Sequence, residues 1–201
     1  MKHPEGVINI FPTQIGTYHI DLDKESIYSV MQDYKVGPLQ VLEGGITSYA
    51  RGSASDFFLS DERLTSLVQN IYSKLNEYTD ALHFEPCEIS QSWFNKMDRT
   101  GSVRQHRHTG SVISGALYVD APSNTSPLVF SDPLNGCRMM ELCKKPQFQY
   151  GLDVYEGLLI LFPSWLQHET FSQQDPRLLF QQTKPRTVIS FNTYHALTSS
   201  L

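Results

Sequence analysis

The pattern of apolar and polar positions changes near residue 83. Before it, apolar residues recur at helical spacing; after it, they come in short runs bounded by turn residues. Residues 7–20 alternate loosely, as Val7-Ile-Asn-Ile-Phe11 and Ile15-Gly-Thr-Tyr-His-Ile20, and predict one or two strands. From Asp23 to about Tyr34, Ile27, Val30 and Met31 fall on one helical face. Residues 37–57, rich in Gly and Ser, read as loop. Ser60 opens Ser-Asp-Glu-Arg, an N-cap with acids in the first turn. The helix beyond it carries Leu64, Leu67, Val68, Ile71, Leu75 and Tyr78 on one face, which predicts packing against a sheet.

After His83 the expected strands are 87–96, 102–108, 111–120, 127–131, 157–163 and 185–194, and no long helical pattern returns. Helices followed by many short strands predict an α+β chain, mainly β, whose β part is a sandwich or jelly roll. No repeat, low-complexity segment or linker divides it, so the expectation is a single domain over 1–201. Residues 134–156 form a long irregular connection, either a lid over a site or a packed loop.

Composition narrows the classes. With 40% hydrophobic and 18% charged residues the chain is that of a globular protein with a full core. The net charge of −5 and the absence of Lys/Arg runs leave no electrostatic footprint for nucleic acid. Three cysteines (Cys87, Cys137 and Cys143) without a CxxC argue against a disulfide framework or a zinc ribbon, and favour a reducing compartment. The first residues lack the apolar stretch of a secretory signal, and the longest apolar run, 157–162, is too short to span a bilayer. The expectation is a soluble, cytoplasmic protein of undetermined oligomeric state.

Of the seven histidines, the pair in His106-Arg107-His108 is the most informative. Residues two apart on a strand point to one face, so both imidazoles could reach one ion. His168 follows the apolar strand in Phe162-Pro-Ser-Trp-Leu-Gln-His168. A ligand pair on one strand and a distant His after another is the layout of a facial metal site in a barrel; the alternative is a solvent-facing or hydrogen-bonded pair. Arg186, Val188, Ser190 and Asn192 share one face of the last strand, with Ile189 and Phe191 opposite. If that face is inward, Arg186 needs an anion, because an unpaired buried charge is costly; a small carboxylate held in a bidentate fork would serve. If it is the wet face, it needs none. Trp93 and Asn95 on one strand, and Ser111, Ser114 and Tyr118 on the next, could line a pocket, although a Tyr such as Tyr118 is more often core. Asp132, before Pro133, reads as a turn acid or a site acid.

The motifs Trp93-Phe-Asn95, Gly101, His106-Arg-His108, Ser114-Gly-Ala-Leu-Tyr118, Phe130-Ser-Asp-Pro133, Gly157-Leu-Leu-Ile-Leu-Phe-Pro-Ser-Trp-Leu-Gln-His168, Arg186 and Ser190-Phe-Asn192 together resemble the 2-oxoglutarate/Fe(II) oxygenase family. Asn9-Ile-Phe-Pro-Thr13 is also similar to that family's start. The resemblance implies a double-stranded β-helix over about 87–194, iron and 2-oxoglutarate as cofactors, O2, and a small-molecule or peptide substrate. Carried over residue by residue, it puts His106 and His168 in the first and last ligand places and Arg186 on the far carboxylate of 2-oxoglutarate. Asn95 stands where a co-substrate contact is common, and Ser190, Asn192 and Tyr118 are expected beside it. His108 stands where the family usually has a carboxylate, and Val188 where a Ser often follows the Arg. Ser190 is the expected substitute; Arg177 is nearer to His168 in sequence but sits in Gln-Asp-Pro-Arg-Leu-Leu, which reads as an insertion turn. Two other readings stay open: a three-His, cupin-like dioxygenase without 2-oxoglutarate, and a non-enzymatic jelly-roll binding module.

Overall fold

The computed structural model describes residues 12–49, 57–123, 125–134, 148–171 and 184–195. The elements run β1 (Gly16–His19), α1 (Lys24–Gln32), β2 (Gly37–Leu39), β3 (Leu42–Thr47), α2 (Thr65–Leu82), β4 (Cys87–His106), β5 (Ile113–Asp120), β6 (Leu128–Ser131), β7 (Gln149–Leu152), β8 (Leu158–Pro163), β9 (His168–Thr170) and β10 (Arg186–His195). The strands form one antiparallel sheet in the order β1-β8-β5-β10-β4-β9-β6-β7, with β3 also on β4 and β2 on β3. This is the mainly-β architecture with N-terminal helices that the residue pattern predicts. No helix among the described residues is long and apolar enough to cross a membrane.

The sheet curls because β4 changes partners along its length. Cys87–Met97 pairs with β10, Val103 and His106 pair with β9, and β3 lies against the stretch from Asn95 to Val103. Register shifts accompany these changes and sharpen the local bend. The curl is therefore a half-barrel with two unlike faces. Phe94, Leu117, Leu159, Leu161, Ile189 and Phe191 pack on α1 and α2 through Ile27, Val30, Ile71 and Leu75. Ala116, Tyr118, Ile160, Phe162 and Val188 point the other way, toward Met97, Leu128 and Phe130. Burying each large apolar side chain contributes about 1.5–3 kcal/mol. Gly115 is required where it is: a Cβ there would stand 2.1 Å from Cζ of Phe191, whose ring crosses β5.

Several boundaries differ from the sequence reading. The segment 37–57 is not all loop, since it holds the β2–β3 hairpin. Its glycines are what let β3 approach β4. A Cβ on Gly45 would meet the Lys96 carbonyl at 2.7 Å, and Gly44 has φ +59. Ser60 is not the cap of α2. Its hydroxyl donates back to the Phe57 carbonyl at 2.7 Å, and Asp61 instead accepts from the Arg63 N–H at 3.0 Å. The two stretches 87–96 and 102–108 are one strand that ends at His106. Strands β7 and β9 lie where none was expected. Of residues 7–20, β1 is the strand within the described part, and most of 134–156 lies outside it.

Candidate active site

Strands β5, β10 and β4 lie side by side, and their register builds the site in rungs. Met97 faces Arg186; Asn95, Val188 and Tyr118 align; so do Trp93, Ser190 and Ala116, then Gln91, Asn192 and Ser114. Successive rungs are about 6.6 Å apart, two residues of strand. Every one of these residues except Arg186 lines a cavity of about 760 Å³. The polar face of β10 is thus the inward face.

The histidines meet on the same cavity. His106, the last residue of β4, pairs with His168, the first of β9. His108 lies two residues past the end of β4, with its backbone N–H donating to the Ser164 carbonyl at 2.9 Å. Ligand nitrogens of all three lie within 4.8 Å of one another. His106 Nδ1 is 2.8 Å from the Arg104 carbonyl and His168 Nδ1 is 2.9 Å from the Leu166 carbonyl. A carbonyl can only accept, so both Nδ1 atoms carry the proton and both Nε2 lone pairs are free for a metal. Burial pushes all three pKa values down. That of His168 falls to about 3, with His106 and His108 adding repulsion against the Leu166 carbonyl's opposite pull. That of His108 falls to about 4, through burial and then His106. His106 is lowered by burial, with the Arg104 carbonyl opposing. At neutral pH the cluster is three uncharged imidazoles, a donor set suited to iron among other metals.

Arg186 is fully buried, at 0% exposure. It sits where β4 passes from β10 to β9. Its guanidinium donates to the carbonyls of Ser126 (3.2 Å) and Gly101 (3.3 Å), the Thr170 hydroxyl (2.7 Å) and the Met97 sulfur (3.2 Å), while Nε has no partner. Among the described residues no carboxylate pairs with it. Burial lowers its pKa, and Tyr118 opposes that. Around it stand Met97, Tyr118 and Thr170, which do line the cavity.

The other expected residues fall on the same walls. Asn95 is buried with its Oδ1 unpartnered. Tyr118 is buried, which pushes its hydroxyl pKa up to about 12 against the pull of Arg186. Ser190 lies in the middle rung, two residues from Asn192. The Asn192 amide is engaged at both ends, by Ser114 and by His108. Asp132 accepts from the Leu134 N–H at 2.9 Å, which makes it a turn acid. Arg177 lies outside the described residues. Sequence reasoning missed Thr170, Met97, Gln91 and Ser164. Thr170 stands two residues after His168 on β9, a strand too short to announce itself by periodicity.

Comparisons with known proteins bear on this arrangement. The family model described as "Putative 2OG-Fe(II) oxygenase" matches residues 91–192, half of the chain, a span that holds the cavity-lining residues of β4, β5 and β10 from Gln91 to Asn192. Among solved structures, the epimerase SnoN from nogalamycin biosynthesis, described as α-ketoglutarate dependent, is similar with TM-score 0.60 and 10% identity, covering 92% of this chain and 78% of its own. A Pseudomonas putida prolyl-4-hydroxylase gives TM-score 0.54 at 10% identity, covering 92% and 94%. HygX from Streptomyces hygroscopicus, solved with nickel and 2-oxoglutarate, gives TM-score 0.53 at 10% identity, covering 92% and 84%. At such identity the likeness shows the fold, the double-stranded β-helix of these oxygenases. No curated protein matches the chain. On the family match, this chain belongs to the 2OG-Fe(II) oxygenase family, enzymes that use Fe(II) and 2-oxoglutarate.

Proposed function

We propose that the protein is a non-haem Fe(II) and 2-oxoglutarate-dependent dioxygenase that hydroxylates a small-molecule or peptide substrate, with succinate and CO2 as co-products. The observation that carries this reading is Arg186, a fully buried guanidinium that pairs with no carboxylate among the described residues and stands against Met97, Tyr118 and Thr170, which line the cavity of the three neutral histidines. A buried cation without a counter-charge is costly, and a dicarboxylate entering the cavity would relieve that cost.

In this reading His106, His108 and His168 hold the iron. Together, Fe(II) and 2-oxoglutarate supply the oxidising power, by activating O2 as 2-oxoglutarate is decarboxylated. The residues do the rest by position. Arg186 binds the far carboxylate of 2-oxoglutarate, with Met97, a flexible thioether on the guanidinium, moving aside. The hydroxyl that Val188 lacks comes from Thr170. Its Oγ1 already accepts from the Val103 N–H at 2.8 Å and from Arg186 at 2.7 Å, so its own proton is left to donate. Ser190 stands about 13 Å along the strand from Arg186, four residues at the usual rise, and serves the middle of the cavity instead. Asn95 turns its unpartnered Oδ1 and its amide to the co-substrate. The apolar walls around Trp93, Ala116 and Phe162 keep water out.

The test is the visible spectrum under anaerobic conditions. Fe(II) with 2-oxoglutarate should give a metal-to-ligand charge-transfer band, and His106→Ala or His168→Ala should abolish both the band and stoichiometric iron binding. Iron binding without any band would favour a three-His site that does not use 2-oxoglutarate. Equal iron binding by parent and both variants would remove the site assignment. Succinate formation across a panel of small molecules and peptides then identifies the substrate class.

A further inference from the structure

The three histidines are not held alike. His106 and His168 each give Nδ1–H to a backbone carbonyl, an acceptor that cannot reverse its role. His108 Nδ1 instead faces a side-chain amide, Nδ2 of Asn192, at 3.3 Å. The Asn192 Oδ1 accepts from the Ser114 hydroxyl at 2.8 Å, and Ser114 Oγ lies 2.8 Å from Ser164 Oγ. Asn192, Ser114 and Ser164 are all buried, at 4%, 2% and 0% exposure. Ser164 also takes the His108 backbone N–H on its carbonyl, so the same residue anchors the ring's backbone and ends the side-chain relay.

In this arrangement the amide N–H occupies the Nδ1 lone pair of His108. A neutral imidazole has one proton, so it must then sit on Nε2, and a protonated Nε2 is no ligand. A primary amide has the same shape either way round. Turned over, its oxygen would accept from Nδ1–H, its N–H would donate to Ser114, and the two hydroxyl rotors would reverse in step. That reversal needs no backbone movement and exposes Nε2 of His108.

We propose that Asn192, backed by Ser114 and Ser164, is a positioning residue that decides whether His108 is a metal ligand: the metal-free site offers two ready histidines and a third that joins when the amide turns. A metal must then supply the energy of reversing the relay, which weakens its binding. This inference rests on the metal site proposed above and adds to it the control of its third ligand. The family's usual carboxylate has no tautomer and needs no such device, so the relay belongs with the His108 substitution.

The decisive measurement is the imidazole tautomer, read by long-range nitrogen–proton NMR on protein with labelled histidine. In the metal-free protein, His106 and His168 should be Nδ1–H and His108 Nε2–H. Zn(II), a diamagnetic probe, should convert His108 to Nδ1–H and shift the Asn192 amide protons. Asn192→Asp presents acceptors only; it should hold His108 as Nδ1–H without metal and tighten Zn(II) binding about 10- to 100-fold, the usual range for partners of metal ligands. In a His108→Asp background the Asn192→Asp gain should vanish. His108 found as Nδ1–H in the metal-free parent overturns the inference, and that measurement needs no variant to fold. Zn(II) that perturbs His106 and His168 but leaves His108 as Nε2–H also overturns it, while sparing a two-histidine site. Zn(II) that perturbs none of the three removes the underlying site itself.

Discussion

Along β10 the side chains divide by parity. Ile189 and Phe191 enter the core against α1 and α2, whereas Val188, Ser190 and Asn192 line the cavity, and Arg186, of the same parity, is buried against its lining residues Met97 and Thr170. The same division holds on β5, with Leu117 and Val119 on one face and Ser114, Ala116 and Tyr118 on the other. Both faces are buried, yet they are built to opposite rules. The helix-side face is apolar and closely packed; on it Gly115 has no room for a Cβ. The cavity-side face holds the unpartnered Asn95 Oδ1 and Arg186 Nε. Buried polar atoms are normally satisfied, and leaving them unpaired costs stability. On the function proposed above, the difference separates scaffold from site within single strands: one face contributes stability, and the other would give some up to keep groups ready for a ligand.

The sharpest way to break this comparison is a pair of substitutions with opposite expected signs. Phe191→Ala opens a cavity on the helix side and should lower the unfolding free energy by about 3–5 kcal/mol. Arg186→Met removes a buried charge that no carboxylate among the described residues pairs with, and should leave the ligand-free protein at least as stable as the parent. It should also abolish the stabilisation that 2-oxoglutarate gives the iron-loaded parent, about 2.7 kcal/mol at a hundred times Kd. Arg186→Ala should raise the 2-oxoglutarate Kd by about two to three and a half powers of ten, the equivalent of about 3–5 kcal/mol for a desolvated pair that loses one partner. Urea titrations with and without co-substrate measure both terms. If Arg186→Met destabilises the ligand-free protein as much as Phe191→Ala does, the two faces are not the opposites described.

Thr170 sharpens the cavity side with a smaller effect. Thr170→Val keeps the shape and removes the hydroxyl, so a hydrogen bond to a charged group is lost. That is worth about 1.5–3 kcal/mol, or roughly 10- to 150-fold in the 2-oxoglutarate Kd. Thr170→Ser should restore most of the affinity, and Ser190→Ala should change it little. Calorimetric titration of the iron-loaded protein distinguishes these, and loss with Ser190→Ala beside an unaffected Thr170→Val would return the hydroxyl contact to β10.

Much of this was legible in the sequence because both faces obey a period of two. The alternation through Arg186 to Asn192 gave the polar face its membership, and helical spacing from Leu67 to Tyr78 gave the packing face of α2. What escaped depends on pairing between distant segments. Nothing local marks 168–170 as a strand, because three residues carry no periodicity; β9 exists through its partners β4 and β6. Thr170 was hidden with it. The Gly44–Gly45 pair read as loop because their need for close approach arises from Met97 and Gly101, more than fifty residues away. The contact of Asn192 with His108 likewise follows from the register of β10 and the path of the chain beyond β4, which no spacing between the two residues encodes.

The smallest expected change in ligand affinity concerns acid, and it again sets the buried cluster against ordinary surface histidines. An unperturbed histidine is about ten-elevenths protonated at pH 5.5, so three exposed ligands would each lose about tenfold in metal affinity between pH 7 and that point. With His168 held near pKa 3 and His108 near 4, protons hardly compete at pH 5.5. The Zn(II) affinity should therefore fall by less than about tenfold in all from pH 7 to 5.5, and steeply only below about pH 4. The metal-free protein should show the matching cost. In the unfolded chain His168 and His108 take up protons as pH falls through about 6.5, while in the native state they do so only near 3 and 4. The unfolded state thus binds more protons across that window, and stability should drop as pH falls from 6.5 toward 4, then level as the native rings protonate. His168→Leu should remove up to one proton from that slope, about 1.4 kcal/mol per pH unit. Denaturation at several pH values reads the slope directly. A variant with the parent's full slope would mean that His168 does not stay neutral in the native protein.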